Sequence, residues 1–79
     1  MTGRRNDVSP HLYQPGDYGK WEDGWYCRPP DFEGLGNISR HRIIEHEDGT
    51  ITVSPSILIG MPPQEEWHGF LEKGVWRKC

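Results

Sequence analysis

The sequence predicts a mainly β protein: a small antiparallel sheet of two or three hairpins, with a long irregular N-terminal arm. Three observations carry that expectation. Ten Gly and seven Pro in 79 residues favour turns over long helices. From Ile51 to Ile59 apolar and polar side chains alternate with a period of two, as on a strand with one buried side. Three glycine dipeptides, Asp23-Gly24, Asp48-Gly49 and Lys73-Gly74, stand between apolar runs where tight hairpin turns belong.

A chain of 79 residues holds one domain. At that size about 60% of the unfolded surface is buried, so the stability margin is thin. The hydrophobic fraction is low, 33%, and four Trp offset it, because each buries roughly 150–250 Å². Such domains are often stapled by a disulfide, a metal or an oligomeric partner. The net charge is −3, and Arg4-Arg5 is followed at once by Asp7. That pattern lacks the basic stripe of a nucleic-acid binder. No apolar run approaches the roughly 20 residues of a membrane span, and the start has no apolar leader core. A cytoplasmic location is expected. The two cysteines, Cys27 and Cys79, then read as thiols or metal ligands rather than a disulfide.

Residues 1–20 read as an N-terminal arm, loosely attached, with His11, Leu12 and Tyr13 able to dock; residues 21–79 read as the β-rich domain. Trp21, Trp25, Tyr26 and Cys27 surround the first turn, and Pro29-Pro30 ends that strand. Phe32 to Asn37 reads as a loop. Ile38 to His46 is the next strand. Asp48-Gly49 is taken as a two-residue turn, and Thr50 to Ile59 returns, with Pro55 marking an edge or a bend. This register sets Ile44 against Val53 and His46 against Ile51. Gly60 to Glu66 reads as a loop, with room for a helical turn at Gln64-Glu65-Glu66. The last hairpin turns at Lys73-Gly74, so Leu71 faces Trp76, Phe70 faces Arg77 and His68 faces Cys79.

Directly opposed residues have Cβ atoms about 4.5–5.5 Å apart. His68 and Cys79 could therefore share a Zn²⁺, with Cys27, His46 and His41 as further candidates. The chain lacks the Cys-x-x-Cys and His-x-x-x-His spacings of zinc modules. Ser54 or Ser56 with His41 would be a nucleophile and base, but no Gly-x-Ser-x-Gly elbow is present. Glu45 beside a metal would be a general base. Trp21, Trp25, Tyr26, Trp67 and Trp76 either form the core or supply an aromatic surface for a protein partner.

Two stretches also carry a resemblance. His46-Glu-Asp-Gly-Thr-Ile-Thr-Val53 with Ser54-Pro-Ser-Ile57, and Trp67-His-Gly-Phe-Leu71 with Gly74-Val-Trp76, resemble a family of small uncharacterised β-rich domains of actinobacterial phages and bacteria. The likeness covers about residues 21–79. It implies a β-rich fold and a phage or bacterial origin. Some bacterial members lie beside ubiquitin-like conjugation genes and are suspected of binding metal. Carried onto this chain, that idea matches His68 and Cys79; larger members place a cysteine shortly before the histidine, where this chain has Glu65-Glu66-Trp67.

The expectation is a phage accessory protein that binds a host or phage protein in the host cytoplasm, with no catalysis of its own. The alternatives are a zinc-binding domain, structural or hydrolytic, using His68 and Cys79, and a virion component such as a capsid decoration protein. Homo-oligomers are compatible with each; a membrane or nucleic-acid partner is not expected.

Overall fold

The computed structural model describes residues 1–61 and 64–79. Its strands are β1 (Arg4–Arg5), β2 (Asp17–Trp21), β3 (Gly24–Cys27), β4 (Gly36–Asn37), β5 (Arg42–Glu45), β6 (Ile51–Met61), β7 (Gln64–Glu72) and β8 (Val75–Lys78). They form two four-stranded sheets, ordered β1-β2-β3-β4 and β5-β6-β7-β8. Neighbours run antiparallel except β1 with β2. The fold is therefore mainly β.

The period of two in β6 decides what becomes core. Ile51, Val53 and Ile57 are buried from one face, and Ile59 packs against them. Trp67, Leu71 and Trp76 meet them from β7 and β8, Tyr18 and Cys27 join from the first sheet, and Ile38, just after β4, completes the cluster. One shared core thus joins the two sheets.

Turn chemistry sets each register. At β7–β8, Lys73 and Gly74 both have positive φ, 49° and 75°, the requirement of a two-residue type I′ hairpin. Leu71 pairs with Trp76 and Phe70 with Arg77, as the sequence arithmetic gives. The Cys79 N–H donates to the His68 carbonyl at 3.0 Å, extending that pairing.

At β5–β6 the observed register differs by one residue: Ile43, not Ile44, pairs with Val53. The turn has three residues, Glu47-Asp48-Gly49. Gly49 N donates to His46 O at 3.0 Å and His46 N to Thr50 O at 2.8 Å. Gly49 has φ 87°, so a type I turn closes with a glycine in the left-handed region. The Asp48 carboxylate fixes it, accepting from Thr50 N at 2.9 Å and Thr50 Oγ1 at 2.6 Å. A one-residue slip exchanges the faces of a strand. Ile43 accordingly packs on the core and Ile44 faces solvent. β5 is also shorter than Ile38–His46, because Ile38 is buried in the core and His41 N turns back to its carbonyl.

Three further differences are local. The first hairpin turns at Glu22-Asp23, and Gly24 is already in the strand opposite Trp21. Gly36 and Asn37, read as loop, form β4 against Tyr26 and Cys27. Pro55 is exposed rather than in phase with the core, and β6 is an inner strand. It bends there instead, since its pairing with β7 shifts between Val53 and Ile57. Gln64 and Glu66 lie in β7, not in a loop or helix; the expected loop at Pro62-Pro63 lies outside the described residues.

Residues 1–20 are irregular for much of their length but are not a loose tail, and β2 crosses the boundary expected at residue 20. Trp76 N donates to Met1 O and Gly3 N to Gly74 O, each at 2.7 Å, so the first residues line the edge of β8. Arg4-Arg5 then pairs with Asp17-Tyr18 of the other sheet. Arg5 adds a side-chain tie: its guanidinium holds Asp7 at 2.9 and 3.1 Å, Glu45 at 2.6 Å and the Gly49 carbonyl at 3.0 Å. Tyr13 docks fully, at 2% exposure. Asp17 is buried; burial would raise its pKa, but hydrogen bonds from Arg4, the Gln14 N–H and Asn6 hold it below the usual carboxylate value.

Candidate functional site

Trp21 and Tyr26 stand on the outer face of the β2–β3 hairpin. Cross-strand pairs in this hairpin are Gly19 with Tyr26 and Trp21 with Gly24. Alternation puts Trp21, Gly24 and Tyr26 on one side and the core residues Tyr18 and Cys27 on the other. Gly24 is required here. A Cβ at that position would lie 2.9 Å from Tyr26 Cε2, so the bare backbone lets the phenol ring lie along the strand.

Two further segments wall this surface. On one side the 3-10 turn Pro10–Leu12 supplies Pro10 and His11, and Ser9 precedes it. On the other are Leu35, Gly36 and Asn37, leading into and forming β4. The result is a groove of about 440 Å³ with Trp21 and Tyr26 among its lining residues and Glu22 at the hairpin tip. Trp21 is 39% and Leu35 36% exposed, so apolar surface is presented rather than packed away. Pro10 is buried, and Asn37 Oδ1 accepts from Ser39 N at 2.9 Å, which anchors both walls.

Of the five aromatic residues expected to form a binding surface, Trp21 and Tyr26 line this groove. Trp25 points the other way: it packs against the core, with Arg5 Cζ 5.0 Å and Lys20 Nζ 6.0 Å from its ring centroid. Trp67 and Trp76 are not surface at all, at 2% and 3% exposure. Their rings meet edge to face at 5.4 Å. Their indole N–H groups donate to Pro30 O at 3.1 Å and Gly16 O at 2.8 Å, which lets large polar-tipped rings be buried without loss. Trp67 also packs across Gly69, whose Cβ would lie 2.5 Å from its ring. That contact gives the Trp67-His68-Gly69 run a structural reason.

The five metal candidates are distributed, with His41 engaged by the Ser56 carbonyl. Cys27 lies inside the core, where burial pushes its thiol up to about 12. His46 shares a hydrogen bond with Thr52 Oγ1 at 2.7 Å near the β5–β6 turn. Cys79 is exposed beside His68. His68 Nε2 shares a hydrogen bond with Ser56 Oγ at 2.9 Å. Among the described residues no three His, Cys, Asp or Glu side chains are grouped to hold a metal. A structural zinc site takes four ligands, and the donors described here do not supply that set.

The serine–histidine idea is also redrawn. His41 Nε2 donates to the Ser56 backbone carbonyl at 3.2 Å, not to its hydroxyl. The hydroxyl of Ser56 meets His68 instead, so the Ser54-Pro-Ser-Ile57 and Trp67-His-Gly69 stretches touch through that pair.

Sequence reasoning missed Pro10, His11, Leu35 and Asn37. Leu35 had a signal: a lone large apolar residue between two glycines has no strand of its own to bury it. Pro10 and His11 had none, because their place depends on a remote hairpin. No protein-family model, curated protein or solved structure matches the chain.

Proposed function

We propose that this chain is a small accessory protein of phage or bacterial origin that binds a segment of another protein and performs no chemistry of its own. The origin rests on the sequence resemblance; the binding reading rests on one observation. Trp21, Tyr26 and Leu35 are held open on a walled groove in a chain whose other tryptophans are packed inward. Small domains bury aromatic surface first, since their cores are meagre. An exposed tryptophan beside a tyrosine is the aromatic pairing enriched at interface centres. Ligand sites commonly have volumes of roughly 300–1,000 Å³, and the groove's 440 Å³ suits a few peptide residues.

The test is selection of peptides from a displayed random library on the full chain, with Trp21→Ala used for counter-selection. Enriched peptides should shift the amide and indole resonances of Trp21, Tyr26, Leu35 and Asn37. Peptides retained equally by Trp21→Ala, or shifts confined to the other sheet, would refute the reading.

A further inference from the structure

We infer that the groove takes an extended, proline-containing peptide carrying a lysine or arginine. This inference deepens the binding reading and rests on it. Three features of the groove point to that chemistry.

The first is charge. Glu22 lines the groove at its hairpin tip, and Asp23 shares the same two-residue turn. Glu33 is exposed two residues before Leu35. Among the described residues none of these three carboxylates has an ion-pair partner, whereas Asp7, Asp17, Glu45 and Glu72 are each held by an arginine. Among the described residues, the only basic side chain in the lining is His11. A cationic side chain from a partner would meet unneutralised acids, and an anionic one would be repelled.

The second is shape. The apolar lining is two rings and a leucine, with Pro10 and His11 of the 3-10 turn on one side and Gly36 and Asn37 of β4 on the other. About 440 Å³ holds a few residues of extended chain, whereas two turns of a helix about 10–12 Å across occupy roughly twice that volume. A polyproline II strand is narrow, presents ring faces to aromatic side chains and is already ordered before binding.

The third is hydrogen bonding. A polyproline II backbone makes no internal hydrogen bonds, so its carbonyls need donors. The hydrogen bonds of the described residues engage the indoles of Trp67 and Trp76 but not that of Trp21. Asn37 uses Oδ1 toward Ser39 and keeps its amide N–H groups for a ligand. Aromatic faces also stack on single-stranded nucleic acid, but phosphates there would face Glu22.

The experiment uses the full chain and a panel of synthetic decapeptides followed by NMR and calorimetry. One peptide has two prolines three residues apart with flanking arginines. A second replaces the arginines by glutamate, and a third replaces the prolines by alanine. Oligothymidylate is a fourth ligand. The first should bind with shifts at Trp21, Tyr26, Leu35 and Asn37, at least tenfold tighter than the second and third. Glu22→Lys should narrow or reverse the preference of arginine over glutamate while leaving amide dispersion unchanged. Equal binding of the glutamate or alanine peptide, or tighter binding of oligothymidylate, would overturn the inference. If library-selected peptides of other chemistry shift the groove while this panel does not, only the inference falls. If neither set moves the groove resonances, the binding reading falls with it.

Discussion

Trp21 and Trp67 carry the same indole in opposite surroundings, which makes them a direct comparison. Trp67 is enclosed by Trp76, Gly69 and the Pro30 carbonyl. Replacing such a side chain by alanine costs about 3–5 kcal/mol, a large share of the roughly 5–15 kcal/mol that stabilises a domain. Trp67→Ala should therefore melt far below wild type or fail to fold. Trp21→Ala, at a side chain 39% exposed, should cost much less than Trp67→Ala, measured by urea unfolding. Asp17 gives the acid limit. Its carboxylate pKa lies below the ordinary value, so it stabilises the fold above the unfolded-state pKa of about 4. That contribution fades as pH falls through the lower folded-state value. Unfolding midpoints between pH 7 and pH 2 should drop more steeply for wild type than for Asp17→Asn, which should already be weakened at pH 7.

At the scale of elements, the hairpins test the turn chemistry. Lys73 holds φ 49° in a two-residue turn where Asn-Gly is the preferred pair. Lys73→Asn should raise stability by roughly 0.5–1 kcal/mol, because a left-handed conformation strains most side chains. The β5–β6 register makes a paired prediction. Ile43→Ala should cost about 2 kcal/mol and Ile44→Ala under about 0.5 kcal/mol; the reverse order would restore the two-residue turn. The Lys73-Gly74 hairpin was legible residue by residue, since its turn is the two-residue one the arithmetic assumes and it sets Leu71 opposite Trp76. The Asp48-Gly49 hairpin was legible as a hairpin but not in register. Apolar residues at both 43 and 44 satisfy either pairing, and the Asp48–Thr50 hydrogen bonds that choose between them are a side-chain effect.

At the scale of the whole molecule, the N-terminal segment ties the edges of two sheets that already share one core, and it was the least legible part. Apart from the local Arg5–Asp7 pair, its ties run to partners farther along the chain: Arg5 with Glu45, Arg4 with Asp17, the first residues with β8. No local period records such pairings. Removing residues 1–6 should lower the urea midpoint and make the β8 amides exchange faster than those of β6. Arg5→Ala alone should cost about 1–2 kcal/mol, since charge-assisted bidentate contacts exceed simple surface pairs. The groove was half legible for the same reason. Trp21 and Tyr26 are neighbours across a hairpin the sequence announces, while Pro10 and Leu35 reach it through tertiary packing.

The central claim is that Trp21 is kept at the surface to bind. Its most direct measurement is the affinity of one groove-binding peptide for wild type and Trp21→Ala, with both melting curves recorded. The prediction is an affinity loss of at least tenfold, about 1.4 kcal/mol, with Trp21→Ala still folding in a single cooperative transition. Equal affinity for the two proteins would contradict it.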